Sequence, residues 1–155
     1  MCCNDTNNQR YIKLAEAIAT SAHKGQLDKG GHPYIEHPRA VSKLVSSDDE
    51  KVVAWLHDVI EDTDITLEDL KLFGFSSSIL EAVDAITRRP GEERSDYLMR
   101  VADNRLATAV KIADLTHNSD LSRIKCRPLT DKDYNRTARY KTEIKLLEGV
   151  LNGRK

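Results

Sequence analysis

The sequence predicts an all-α chain, folded as one compact bundle of about seven to eight helices. Three observations predict it. Apolar residues recur at helical spacing along the chain. No stretch alternates apolar and polar residues for long enough to read as a strand. Only seven glycines and four prolines interrupt the 155 residues, and several of them fall between the periodic segments.

A first helix is predicted over residues 8–23, where Tyr11, Leu14, Ala15, Ile18 and Ala22 share a face. Residues 24–34 hold Gly25, Gly30, Gly31 and Pro33 and read as a loop. A second helix begins near His37-Pro38, because proline suits the first helical turn, and runs to about Ser46. A third starts at Ser47, where Glu50 completes a capping box, and continues unbroken to Asp62. Thr66 opens a short fourth helix that stops at Gly74, and residues 76–88 make a fifth that ends before Pro90-Gly91. A sixth is weakly patterned over 92–102. A seventh spans 106–125, and an eighth runs over 131–151 and closes at Gly153. There is no internal repeat, low-complexity tract or linker, so residues 1–155 read as a single domain with a core over about 8–151.

Composition narrows the function. Lys plus Arg is 24 against 25 for Asp plus Glu, a net charge of -1. A dedicated nucleic-acid binder carries a clear basic excess, so no nucleic-acid partner is expected. A small anionic ligand needs only a local basic patch. No apolar run approaches the roughly 18 residues of a membrane span, and the polar N-terminus lacks the apolar stretch of a secretory signal. Three cysteines, Cys2, Cys3 and Cys126, show no metal-ligand spacing. They indicate a reducing, cytoplasmic setting, with Cys2 and Cys3 as spare thiols on a frayed end.

The third predicted helix carries the chemistry. With His57 at 0°, Glu61 falls at about 40°, Asp58 at about 100° and Asp62 at about 140° on a helical wheel. These four make one stripe, with Ala54 inside it leaving room for an approaching group. Val52, Val53, Trp55, Leu56, Val59 and Ile60 form the apolar side. A solvated face would also be polar, but it usually mixes cations with carboxylates. Between Val52 and Thr63 every charged group is a carboxylate. A divalent cation would offset their repulsion, and histidine with carboxylate is a normal ligand set. Further ligands would come from elsewhere, and two residues stand in unusual contexts. His37 follows the glycine-rich loop, and Asp114 interrupts an apolar helical run with Asn118 one turn on. Each also has a plain structural reading, a packed helix-start histidine and a buried hydrogen-bonded aspartate.

Together these segments resemble the HD-domain metal-dependent phosphohydrolases. The closer likeness is to the (p)ppGpp hydrolase domain of the Rel/SpoT proteins and the stand-alone small alarmone hydrolases. The matching pieces are Ala22-His23-Lys24-Gly25-Gln26, then Gly31-His32-Pro33-Tyr34-Ile35-Glu36-His37-Pro38. They continue with Leu56-His57-Asp58-Val59-Ile60-Glu61-Asp62-Thr63 and Lys111-Ile112-Ala113-Asp114 with His117-Asn118. The resemblance implies a bundle of the HD-domain type and one divalent metal per chain, usually Mn²⁺, held by His37, His57, Asp58 and Asp114. It implies Glu61 and Asp62 as the catalytic acidic pair, which would orient and deprotonate a water. Lys29 and Asn118 would contact the substrate, and His23 would act through hydrogen bonds rather than as a ligand.

The match is weaker on the substrate side. Where the family's loop reads Gln-x-Arg-Lys-Ser-Gly, this chain has Gln26-Leu27-Asp28-Lys29-Gly30-Gly31. Asp28 takes the place of an arginine that meets the guanine base. An aspartate cannot stack as a planar cation, but it could accept from an exocyclic amine or a ribose hydroxyl. The arginine and threonine that follow the family's asparagine are also missing after Asn118. Arg88 and Arg89 suit the end of the fifth helix, and could also meet distal phosphates.

The expected function is therefore metal-dependent hydrolysis of the 3′-pyrophosphate of an alarmone nucleotide, (p)ppGpp or a relative such as ppApp. The chain is too short for the synthetase and regulatory domains of the long Rel proteins, so it would be hydrolase-only. The expected partner is a small-molecule nucleotide, and the oligomeric state stays open. The alternatives are an HD phosphohydrolase of another nucleotide phosphoester, favoured by Asp28, and a non-catalytic nucleotide-binding module.

Overall fold

Side-chain caps mark many of the helix starts in the computed structural model, which describes residues 3–153. Side chains are described from Thr6 onward, so the expectation of spare thiols at Cys2 and Cys3 falls outside the described residues. The helices are α1 (Cys3–Ala22), α2 (Glu36–Leu44), α3 (Asp48–Leu56), α4 (Val59–Asp62) and α5 (Leu67–Leu72). They continue with α6 (Ser77–Ile86), α7 (Arg94–Ala102), α8 (Arg105–Asn118), a short 3-10 turn η1 (Leu121–Arg123) and α9 (Asp131–Gly153). Among the described residues there is no strand, only one isolated bridge between Leu27 and Pro33 in the loop before α2. The all-α expectation holds.

The predicted caps are present. Glu50 N–H donates to Ser47 Oγ at 3.2 Å while Glu50 Oε2 accepts from Ser47 N–H. Thr66 and Asp69 form the same reciprocal pair at α5. Each box satisfies two N–H groups that the helix start leaves without partners.

Three boundaries differ from expectation. α1 starts at Cys3, five residues early, because its first turns are polar and carry no apolar period. The third predicted helix breaks at His57-Asp58 into α3 and α4, so nine α-helices are present among the described residues instead of eight. The cause is local. His57 Nδ1 donates to the Ala54 carbonyl at 2.6 Å, and that carbonyl would accept from Asp58 N–H in an unbroken helix. Asp58 adopts φ -108° and ψ -1°, outside the helical minimum. Ala54 is itself fully buried, so it leaves no opening for another group. Lastly, α8 stops at Asn118 rather than near Lys125. Asp120 accepts from Ser122 N–H and Ser122 Oγ–H, starting η1 in place of another α turn.

α3 is the central helix, packed on α1, α2, α6 and α8, with α9 closing over α8. Val53, Leu56, Val59, Val83, Val110 and Leu115 are buried around it. Trp55 lies in the same core, as its apolar side predicts. Burying each such side chain contributes about 1.5–3 kcal/mol. Two polar fastenings hold the outer helices. Arg100 of α7 donates to the carbonyls of Asp84, Ala85 and Thr87, closing the open end of α6. Arg94 of α7 makes a bidentate pair with Glu143 of α9, both contacts at 2.6 Å.

Candidate active site

Four side chains from three layers of the bundle meet beneath the loop of residues 24–34. His37 comes from the first turn of α2, His57 and Asp58 from the break between α3 and α4, and Asp114 from α8. His37 Nε2 lies 3.2 Å from His57 Nε2 and 2.9 Å from Asp114 Oδ1. His57 Nε2 lies 3.0 Å from Asp58 Oδ2 and 3.5 Å from Asp114 Oδ1. One donor atom each from His37, His57 and Asp58 falls within 4.8 Å of the others, a spacing that could hold a metal ion. Both imidazoles and Asp114 are buried, and Asp58 is 15% exposed.

The donor set fits a cation. A carbonyl only accepts, so the Ala54 contact puts the hydrogen of a neutral His57 on Nδ1. The Nε2 lone pair then faces His37 Nε2 and two carboxylates, a cluster of electron-rich atoms that needs a positive centre. The electrostatics agree. Burial pushes the Asp58 carboxyl up, but the neighbouring imidazoles outweigh it and hold the group well below its ordinary value. Burial likewise opposes ionisation of Asp114, and Lys111 with both imidazoles overcomes it. Burial depresses His57, yet the two carboxylates draw it well above an ordinary histidine. A divalent cation would stand in for that proton.

A supporting ring holds these four in place. Lys111 Nζ lies 2.7 Å from Asp114 Oδ2 and 5.3 Å from the centroid of the Tyr97 ring. Tyr34 donates its hydroxyl to Asp58 Oδ2. His117 stacks on His37, with the two Nδ1 atoms 2.8 Å apart. Asn118 Nδ2 donates to Asp114 Oδ1 at 2.9 Å. Tyr34 and Lys111 stood inside the recognised motifs without a role. A lysine three residues before a buried aspartate on one helix was the signal for Lys111, whereas nothing local marked Tyr34.

Glu61 and Asp62 project from α4 at the rim and are exposed. Partial desolvation, then the charge of Asp58, raises both carboxyls above their ordinary values. They line separate depressions, Glu61 beside Arg88 and Asp62 beside Gln26. His23 is buried and hydrogen-bonds as expected, Nδ1 lying 2.9 Å from Gln26 Oε1. Gln26 Nε2 in turn donates to the Asp62 carbonyl at 3.1 Å. Arg88 donates to the Glu92 carbonyl, and Arg89 pairs with Asp84 on the surface.

A cavity of about 290 Å³ opens from His37 and Tyr34 toward Lys29, Asn118, Arg123 and Tyr140. It brings together the two residues expected to contact substrate. Lys29 is exposed at its mouth, whereas Asn118 has its amide turned toward Asp114. Asp28 differs from expectation. Its Oδ1 accepts from Gly30 and His32 N–H groups at 2.8 and 2.9 Å, and its Oδ2 pairs with Arg123 at 3.1 Å. Both oxygens are committed within the protein, so Asp28 is not a free acceptor for a base or a ribose.

Fold and donor cluster together define an HD-type helical domain. Within that class, the chain is a Rel/SpoT hydrolase-like HD domain. It is 40% identical over 116 residues to the guanosine-3′,5′-bis(diphosphate) 3′-pyrophosphohydrolase of Haemophilus influenzae, covering 65% of this chain and 17% of that protein. It is 32% identical over 124 residues to the bifunctional (p)ppGpp synthase/hydrolase SpoT of Escherichia coli, covering 70% of this chain and 18% of that protein. A GTP pyrophosphokinase of Streptomyces coelicolor is 32% identical over 146 residues, 86% of this chain and 17% of its own. The chain thus spans less than a fifth of these curated relatives. A solved structure, described as a metazoan ortholog of SpoT that hydrolyzes ppGpp and plays a role in starvation responses, superposes with a TM-score of 0.70 at 25% identity. That alignment covers 92% of this chain and 86% of the other. No family profile matches the chain. No described helix is long and apolar enough to cross a membrane.

Proposed function

We propose that the chain, acting as a single cytoplasmic domain, hydrolyses the 3′-pyrophosphate of an alarmone nucleotide, (p)ppGpp or a relative such as ppApp. The observation that carries this reading is the convergence of His37, His57, Asp58 and Asp114 next to the acidic pair Glu61 and Asp62. In this reading the four converging residues hold one divalent cation, Mn²⁺. When bound, such a cation supplies charge stabilisation at the phosphoryl group and acidifies a water.

The chain's own residues do the rest. The carboxylates of Glu61 and Asp62 orient the attacking water and accept its proton, a duty suited to their raised pKa values. Water oxygen bonds to the phosphorus attached to the ribose 3′ oxygen. The bond between them breaks, the 3′ oxygen takes up a proton, and pyrophosphate leaves. Lys29 meets the phosphate charge at the cavity mouth, and Asn118 meets the nucleotide through its amide oxygen.

A second reading, an HD phosphohydrolase of another nucleotide phosphoester, draws on the aspartate at position 28. Incubation with Mn²⁺ and ppGpp, with products resolved by anion exchange, separates the two. Release of pyrophosphate with GDP is expected. Absence of turnover on both ppGpp and ppApp, with metal confirmed in the protein, overturns the alarmone reading and favours the second.

A further inference from the structure

Asp28 and Arg123 are 95 positions apart, yet their side chains pair at 3.1 Å. Arg123 Nη1 also donates to the His117 carbonyl at 3.2 Å, so both terminal nitrogens of the guanidinium are held. The loop and η1 are pressed together at this point. A Cβ on Gly30 would stand 2.4 Å from the Arg123 backbone oxygen, so only glycine permits the approach. Cys126 Sγ–H adds a second tie by donating to the Lys29 carbonyl at 3.4 Å. The pair is largely shielded, with Asp28 12% and Arg123 23% exposed. It is a built feature rather than a loose surface ion pair.

Arg123 lines the cavity that leads out from His37, in company with Leu27, Ile124 and Tyr140. A guanidinium grips phosphate by presenting parallel N–H groups as a fork. Here the two terminal nitrogens are already engaged, and Asp28 neutralises the charge. What remains is the flat, weakly hydrated guanidinium face, in a cavity wall that holds Leu27, Ile124 and Tyr140 as well as the charged Lys29 and Arg136. That surface suits a planar heteroaromatic ring better than an anion.

We propose that Arg123, oriented by Asp28, stacks on the nucleobase of the substrate and determines base preference. This rests on the nucleotide reading above and adds how the base is held. Asp28 is a positioning residue that acts through Arg123 and does not touch the base. Phosphate charge is left to Lys29 and the proposed metal centre.

Calorimetric binding to the Mn²⁺-loaded full chain tests it, with three probes: guanosine 3′,5′-bisphosphate, adenosine 3′,5′-bisphosphate and abasic ribose 3′,5′-bisphosphate. The unmodified protein is expected to bind at least one nucleotide about tenfold tighter than the abasic probe. Arg123→Ala removes that advantage and leaves the abasic affinity unchanged. Arg123→Lys keeps the charge but not the plane, and also loses most of the advantage. Asp28→Asn keeps an acceptor for Gly30 and His32 and loses the ion pair, giving a partial loss. Retained base discrimination in both Arg123 variants overturns the proposal, as does an equal weakening of all three probes. The outcomes also separate this proposal from the reading beneath it. An Arg123-dependent base advantage without ppGpp or ppApp turnover leaves stacking intact and removes the alarmone reading. Turnover with discrimination untouched by Arg123 variants removes stacking alone. Failure of the unmodified protein to bind any probe removes both.

Discussion

Lys111 Nζ lies 2.7 Å from Asp114 Oδ2, one turn earlier on the same helix, and its side chain is only 13% exposed. Burial works against its charge, but Asp114 more than compensates and holds the ammonium well above its ordinary pKa. The lysine is thus a permanent buried cation behind the carboxylate that faces both imidazoles. Lys111→Met leaves Asp114 without this partner. Removing one member of a buried pair costs about 3–5 kcal/mol. Denaturant melts should show a loss of that order in chelated protein and a smaller loss with Mn²⁺ present. Equal losses in the two conditions would mean that the cation does not sit against Asp114.

Tyr34 provides a second handle on the same centre. Its hydroxyl donates to Asp58 Oδ2, fixing the carboxylate that follows His57. Partners of this kind typically affect metal affinity by about 10–100-fold when removed. Tyr34→Phe is expected to weaken Mn²⁺ binding by about tenfold without loss of helicity, as read by calorimetry and circular dichroism. Unchanged affinity would remove Asp58 from the ligand set.

Ligands and acid pair should separate on mutation. His57→Ala is expected to abolish both Mn²⁺ binding and turnover. Glu61→Gln should keep the metal and lower turnover by at least about 100-fold, the usual contribution of a positioned base. Metal content by mass spectrometry beside the hydrolysis rate reads both. A Glu61→Gln rate equal to that of the unmodified protein would sink the assignment of roles.

The pH profile carries a sign. Partial desolvation and the charge of Asp58 raise Glu61, while Lys111 and Arg88 pull it back down. A base must be deprotonated, so activity falls as pH drops through this pKa, which lies above the ordinary value of a glutamate. Arg88→Gln removes one of the opposing cations and should move that acid limb to higher pH. A limb that stays put or moves down would place the base elsewhere.

Stability at low pH should depend on Asp133. Arg127 and the Thr130 N–H, with Arg136, hold this buried carboxyl far below the usual range. A depressed folded-state pKa stabilises above the unfolded value of roughly 3.9 and loses that contribution as pH falls. Asp133→Asn should therefore melt earlier than the unmodified protein at neutral pH, with the gap closing on acidification. A gap independent of pH would show that packing, not ionisation, sets it.

Much of this protein was legible along the chain because helices are local. Spacing predicted the helical elements and the 24–34 loop, the Ser47 box forms where the sequence puts it, and Thr66 opens α5 as expected. His37, His57, Asp58 and Asp114 were each visible through residue type and context. What spacing could not predict was the break at His57, because it depends on which acceptor Nδ1 takes. A helical wheel assumes an unbroken ladder, and one hydrogen bond to Ala54 ends that assumption. Tyr34 and Arg123 carried no local pattern either. Their roles come from partners that the wrapping of α2, α8 and η1 around α3 brings within reach. The sequence by itself determined the helical class and the candidate donor residues, since periodicity and residue chemistry are properties of the chain. Only the tertiary structure decided that Asp28 pairs with Arg123 in the cavity wall rather than standing as a free carboxylate, because a pair 95 positions apart exists only once the loop has closed on η1.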